Sequence, residues 1–375
     1  MDFDLSEEQQ LLAKTVGDYR KQRSPVSRFR ELRDAEGPGW SAQAWAEMGE
    51  LGWLAAPFPE ALGGLGGSFV EAAIILEQLG QTLVPEPYLA SVVLGGYTLA
   101  LGADEAQQQR YLAPMLEGET SLALAWAEAN NRFDPTRVEC EARPAAGAGG
   151  FTLHGDKRFV LNGHAADHLL VSATTPDGLA LFVVGGDAPG LTRTTVGLID
   201  GQRGAHLRLD GVAVTAAQRL AGTGAGAKAV LERVLDYGAA GAVAEGLGVA
   251  SAMLDMTNEY LGTREQFGRK IGSFQALQHR AVDMFIEVEL LRSLSMEAMI
   301  RANEADERER VMAVSAAKHQ LATGGQLVSR QSVQLHGGVG VTDEHDIGLF
   351  FKRMQALATI CGDGAHHATR YAKLI

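Results

Sequence analysis

The sequence predicts an α+β fold in three parts: an N-terminal helical domain over residues 1–118, a middle β-domain (barrel or sandwich) over 119–222, and a C-terminal helical bundle over 223–375. Three observations carry this. The apolar residues change period twice, from helical spacing to short alternating runs near Ser121 and back to helical spacing after Leu220. At 375 residues the chain is too long for one ordinary core, so two or three domains are the natural division. A hydrophobic fraction of 46% beside 21% charged residues belongs to a globular chain that buries a sizeable core.

The first helix starts at Ser6, an N-cap with Gln9 in the capping-box position, and its apolar stripe runs through Leu11, Leu12, Thr15, Val16 and Tyr19. Further helices are predicted over Ala42–Leu51, Phe69–Gly80, Pro87–Leu101 and Asp104–Glu117. The β-domain follows as F-T-L-H-G, H-L-L-V-S-A, L-A-L-F-V-V, L-T-R-T-T and A-H-L-R-L-D-G-V, each bounded by turn residues. The stretch Arg143–Gly150 suits a loose hairpin loop. After Gly222–Gly226 helical periodicity persists to the end, with Arg301–Arg310 as the clearest exposed connection.

A net charge of -13 argues against a nucleic-acid partner and against an anionic membrane surface, so any phosphate site is local. The two cysteines, Cys140 and Cys361, make no disulfide framework and have no metal-like neighbours. The N-terminal M-D-F-D-L-S-E-E-Q-Q is acidic and polar, and no run is long enough to cross a bilayer; a soluble, cytoplasmic protein is predicted. Several local patterns invite other readings. Gly63–Ser68 lacks the preceding strand and following acid of a dinucleotide fingerprint and reads as a turn before a helix. Gly222–Lys228 has Ala229 where a phosphate loop needs Ser or Thr for magnesium. Ser315 and Lys318 sit in an alanine-rich helix without a strained turn, which is a packing pattern. His366 and His367 point in different directions on a helix, complete no metal site and read as surface or interface residues.

Two segments carry chemistry. T-R-E-Q-F-G-R-K-I-G-S-F-Q-A-L-Q-H, Thr263–His279, closes a long helical run and turns at Gly268 and Gly272, placing Arg264 and Phe267 at a helix end. Q-L-H-G-G-V-G, Gln334–Gly340, sets Gly337 and Gly338 side by side, where backbone can approach a ligand without a Cβ in the way. An arginine fork and the N–H groups of a glycine turn are matched donors for a diphosphate. In this order and separation the two segments resemble the FAD-gripping segments of the acyl-CoA dehydrogenase family, and the resemblance covers nearly the whole chain.

The resemblance implies FAD as cofactor and an acyl-CoA thioester as substrate. It implies a base that removes the α-proton while the β-hydrogen leaves as hydride to the flavin, with donors aimed at the emerging enolate oxygen. An electron-transfer flavoprotein-like acceptor would then reoxidise the flavin. Carried over residue by residue, Arg264 and Phe267 fall on the family's FAD-contacting pair, Gln275 on the glutamine of its helix, and Gln334, Gly337 and Gly338 on the pyrophosphate and ribityl loop. In the family these segments reach the FAD of a neighbouring subunit, which implies a homo-oligomer or a heterotetramer with a related subunit. L-A-W-A-E-A and F-V-L-N-G correspond to the strand edges that cover the flavin; there Ala127 replaces a usual threonine, Phe159 a tryptophan and Leu161 a threonine or serine.

The base departs from the family. Its usual glutamate position falls at Cys361, and the alternative position on an earlier helix falls at Gly238. Two acids are candidates. Glu245 lies among small and apolar neighbours with no Lys or Arg between Asp236 and Leu254, so desolvation raises its pKa unless another segment supplies a cation. The other reading of Glu245 is a partner for a buried arginine across the bundle. Asp363 is in the right loop but one carbon shorter, and helix capping is its competing role; nothing adjacent in sequence lowers the pKa of Cys361. The resemblance thus leaves three functions open: a dehydrogenase, a non-catalytic subunit completing a partner's flavin site, and an oxidase or monooxygenase on the same scaffold.

Overall fold

The structure is a computed structural model that describes residues 5–145, 149–223 and 225–375. The start of the acidic N-terminus, the centre of the Arg143–Gly150 loop and Gly224 of the glycine stretch lie outside the described residues.

The N-terminal domain is helical as predicted. Helix α1 (Glu7–Arg23) opens with the anticipated capping box: the Gln9 N–H donates to Ser6 Oγ at 3.2 Å, and the Ser6 N–H to Gln9 Oε1 at 3.1 Å. Helices α2 (Val26–Asp34), α3 (Ala42–Glu50) and α4 (Phe69–Gly80) follow. The glycine run before α4 is a turn, with Gly63 and Gly66 at positive φ and Ser68 as the N-cap. A widened helical run, Leu89–Gly96, leads into α5 (Tyr97–Gly102), and the short α6 (Glu105–Gln107) and α7 (Ala113–Leu116) complete the domain.

The middle domain holds β1 (Leu122–Ala125), β2 (Glu141–Pro144), β3 (Phe151–Leu161), β4 (His168–Thr175), β5 (Gly178–Gly185), β6 (Leu191–Gly197), β7 (Arg203–Val214) and β8 (Arg219–Thr223). The five segments named from alternation are β3 to β7. The strands run β6-β7-β3-β2-β4-β5-β8, with β1 joined in parallel to β4. This mixed path does not close among the described residues, which removes the barrel from the two forms the sequence allowed. The pairing of β3 with β7 is interrupted by irregularities between Leu153 and His154 and between Lys157 and Val160, the second containing Phe159.

The C-terminal bundle is built on α8 (Ala225–Thr263), followed by a two-stranded hairpin, β9 (Glu265–Gln266) and β10 (Arg269–Lys270), and by α9 (Gln275–Arg301), α10 (Glu307–Gln320), α11 (Gln326–His336), α12 (Ile347–Leu357) and α13 (Gly364–Ala372). By length and apolarity alone α8 does qualify to cross a bilayer, contrary to the reading that no run is long enough; yet 78% of its most apolar stretch is buried inside the protein. It is the core helix, and small residues let its neighbours close on it. A Cβ at Gly248 would lie 2.0 Å from the Glu77 carbonyl oxygen of α4, and one at Gly80 2.4 Å from that of Glu245. The exposed connection is also shorter than Arg301–Arg310, because Arg310 is buried and donates from Nε to Asp236 at 3.0 Å.

One apolar core runs through both helical domains, and a second fills the inner side of the sheet. Polar ties cross the boundaries. Arg30 donates to Asp346 at 2.9 Å, and Arg33 reaches Asp343 at 3.1 Å, joining α2 to the loop before α12.

Candidate active site

A cleft of about 660 Å³ opens where the β-domain meets the loop after α12. Trp126, Ala127, Phe159 and Leu161 line one side and Thr359 and Cys361 the other, so the three strand-edge positions singled out from sequence share one cavity. Phe159 is 63% exposed at φ +50, and its N–H donates to His206 Nδ1 at 3.2 Å. The edge is held from behind by a buried ion pair: Lys157 Nζ donates to Glu128 Oε1 at 2.6 Å and to Ser172 Oγ at 2.9 Å. Glu128 also accepts the N–H groups of Glu139 and Cys140, which satisfies a carboxylate that could not otherwise be buried.

The two positions where the family carries its base meet in space. A Cβ at Gly238 would lie 2.6 Å from Cys361 Sγ and 2.6 Å from Leu94 Cδ2, so a thiol and a leucine methyl occupy the volume a carboxylate would need. Cys361 sits at φ +56, and burial pushes its thiol up to about 12, which keeps it protonated near neutral pH. Beneath it lies fully buried Lys318, whose Nζ donates to the Leu357 carbonyl and whose pKa burial lowers to about 7. Packing thus accounts for the S-A-A-K pattern. His367, which the sequence suggests is a surface or interface residue, is 1% exposed within the chain. Its Nε2 donates to the Cys361 carbonyl at 3.1 Å, and its Nδ1 therefore accepts from Ser315 Oγ at 3.3 Å.

Both candidate acids are engaged. Glu245 receives two hydrogen bonds from Arg353, Nε to Oε1 at 2.6 Å and Nη2 to Oε2 at 2.9 Å. Arg353 also donates from Nη1 to Asp200 Oδ2 at 2.6 Å and to Gln202 Oε1 at 3.0 Å, tying α8 and α12 to the β-domain. Burial opposes the charge on Arg353, but Glu245 and Asp200 hold its pKa above the ordinary arginine value. Arg353 is the cation from another segment that the sequence left open, and the geometry is that of the ion-pair reading of Glu245 rather than of a free base. Asp363 caps α13, its Oδ1 accepting the His366 N–H at 2.8 Å.

A second cleft, about 600 Å³, gathers four of the predicted cofactor residues: Arg264, Gln334, Gly337 and Gly338. Gly337 is at φ +64, and both glycines face open space where a Cβ would stand, which suits a close backbone approach to a ligand. Arg280 adds a second guanidinium to the lining. Phe267 and Gln275 are not in that lining. Phe267 projects from the β9–β10 turn at φ +56 and is 90% exposed, while Gln275 begins α9. Within a single chain, then, Phe159 belongs to one cleft and the arginine and glycine donors to another. Sequence reasoning missed Arg280, Arg353 and the histidine pair His336 and His345; only the histidine inside Q-L-H-G-G-V-G stood in a motif already singled out.

A helical domain, an open mixed sheet and a helix bundle, with an anion-suited glycine corner, define a class of three-domain flavin-dependent oxidoreductases. The chain belongs to the acyl-CoA dehydrogenase family: the N-terminal domain of that family matches residues 6–119, the middle domain 123–212 and the C-terminal domain 224–374. Acyl-CoA dehydrogenase FadE27 of Mycobacterium tuberculosis is 33% identical over 361 residues, covering 94% of this chain and 92% of the relative. The ChsE4-ChsE5 complex from Mycobacterium tuberculosis contains a chain 31% identical, with a TM-score of 0.90, covering 100% of this chain and 98% of that one. Butyryl-CoA dehydrogenase from Megasphaera elsdenii is 26% identical with a TM-score of 0.90, covering 100% and 99%.

Proposed function

We propose that this chain is the flavin-completing subunit of a heteromeric, FAD-dependent acyl-CoA dehydrogenase, in which a related partner subunit supplies the base. One observation carries this reading: the two family positions for the base converge on one point, and that point holds Cys361 and Leu94 instead of a carboxylate. The engagement of Glu245 and Asp363 supports it. The division of the cofactor residues between two clefts supports an oligomer, homomeric or heteromeric, in which each cleft meets the complementary one of a neighbour. On α9, Val282, Phe285, Ile286 and Leu290 are each at least 48% exposed and recur on one helical face, as a helix covered by another subunit would show. Within the family the sequence resembles the small subunit of a pimeloyl-CoA dehydrogenase, and the ChsE4-ChsE5 structure is itself a complex of two named chains.

Bound FAD would take up the hydride from the β-carbon and return the electrons to an electron-transfer flavoprotein-like carrier. In this chain Arg264, Gln334 and the Gly337–Gly338 corner would hold the dinucleotide. Phe159 and Leu161 would cover the ring and shield it from water, and the buried Glu128–Lys157 pair would fix that edge. The substrate class is an acyl-CoA thioester, with a medium-chain or dicarboxylic acyl group as the expectation from the pimeloyl-like sequence.

The test is the visible spectrum and mass of the chain purified alone, followed by anaerobic titration with a panel of acyl-CoA thioesters and then with dithionite. The expected result is flavin, where bound, that dithionite bleaches and acyl-CoA does not. Bleaching by acyl-CoA in an oligomer of this chain alone overturns the reading.

A further inference from the structure

We propose that His336 accepts a hydrogen bond from a hydroxyl or amino donor of the FAD gripped in the second cleft, an assignment that rests on the flavin reading above. His336 is 2% exposed and lines the cleft beside Arg264, Gln334 and the glycine corner. Its Nε2 is buried and meets no hydrogen-bond partner among the described residues, an unusual state for a buried ring nitrogen.

The protonation of that nitrogen follows from its neighbours. Nδ1 lies 2.7 Å from the Ser332 carbonyl oxygen, which can only accept, so Nδ1 carries the proton and donates. In the neutral ring Nε2 is then a bare lone pair. Burial, and the nearby His345, lower the pKa of His336, which favours that neutral form. The ring cannot turn away: Tyr260 stacks on it at 4.6 Å and 27°, and His345 packs at 4.6 Å. His345 has the opposite tautomer, since its Nδ1 accepts the Ile347 N–H at 3.1 Å. The cleft therefore divides its work by charge type. Arg264 and Arg280 suit the phosphates, and His336 suits a neutral group that donates.

Among hydroxyl and amino donors FAD offers the adenine amino group, the ribose hydroxyls and the ribityl hydroxyls. The experiment is a fluorescence titration of the assembled full-length protein with FAD, for wild type, His336→Leu and His336→Gln, with competition by ADP, 2′-deoxy-ADP and inosine diphosphate. His336→Leu is expected to weaken FAD binding about tenfold. His336→Gln, which keeps an acceptor, recovers most of it. Discrimination against 2′-deoxy-ADP that disappears in His336→Leu assigns the donor to the ribose, and against inosine diphosphate to the adenine amino group. Weakened FAD with neither discrimination leaves the ribose 3′-hydroxyl and the ribityl chain, and competition by 3′-deoxy-ADP separates them. Equal FAD affinity in wild type and His336→Leu overturns the assignment and leaves the flavin reading intact. Assembled wild type that binds no FAD overturns both. If His336→Leu fails to assemble, His336→Phe, which keeps the ring packing against Tyr260 and removes the acceptor, takes its place, and equal FAD affinity in wild type and His336→Phe overturns the assignment.

Discussion

Replacing Glu245 by Gln separates a structural carboxylate from a catalytic one. Glu245 and Arg353 are both buried and make two short hydrogen bonds, and Asp200 completes a triad that pins α8 and α12 to the sheet. Breaking a buried pair leaves a desolvated charge and costs roughly 3–5 kcal/mol. Glu245→Gln belongs at the lower end, about 3 kcal/mol, because Arg353 keeps Asp200 and Gln202. Arg353→Met strands two carboxylates and belongs at the upper end, about 5 kcal/mol. For a chain of 375 residues 3 kcal/mol corresponds to a fall in Tm of about 4 °C. The double variant Glu245→Gln/Arg353→Met should lose less than the sum of the two, because the partners share one interaction. Thermal unfolding by circular dichroism, run beside anaerobic flavin reduction in the assembled enzyme, reads both effects. The expected outcome is a lower Tm with the rate of flavin reduction by acyl-CoA unchanged. Unchanged Tm with flavin reduction abolished would refute the reasoning and make Glu245 the base.

Two further outcomes follow from the packing. Gly248→Ala should destabilise the chain by about 2 kcal/mol, read as a lower urea midpoint, because its Cβ would stand 2.0 Å from the Glu77 carbonyl and force α4 away from α8. Lys318 gives a pH signature. Burial lowers its folded pKa to about 7, so between there and the ordinary lysine value the unfolded chain holds a proton that the folded chain does not. Stability should therefore rise from pH 7 to pH 9, by at most about 1.4 kcal/mol per pH unit. Above pH 9 Cys361, pushed up to about 12, works in the opposite sense. Lys318→Met should flatten the rise, as measured by urea midpoints across that range.

Much of the fold was legible because it is local. The Ser6 capping box, the α4 boundaries and the five alternating segments are set by neighbours within a few residues, and each is found where the sequence puts it. What failed depends on distant chain. Arg310 looked exposed in a charged run and is buried because Asp236, 74 residues away, needs a cation. His367 looked like a surface or interface residue and is buried within the chain because α13 packs on Ser315 of α10. Whether α8 is a core helix or a spanning one is settled by the helices around it. In the site, four residues carried over from the family resemblance, Arg264, Gln334, Gly337 and Gly338, line one cleft, while Phe267 and Gln275 stand outside its lining. The partner of Glu245 lies 108 residues on, and no local pattern marks Arg353 as the residue that reaches it.

The near-contact of Gly238 with Cys361 also bears on descent. Two distant stretches of chain address one small volume, so a side chain at either position excludes a large one at the other. A lineage with a carboxylate on the loop must keep the helix position bare, and relocating the acid means emptying one address as the other fills. Here the helix address is bare while a thiol fills the loop address and Leu94 closes the remaining side. Placing an acid at position 238 therefore takes smaller side chains at both 94 and 361, because each stands 2.6 Å from where its Cβ would be.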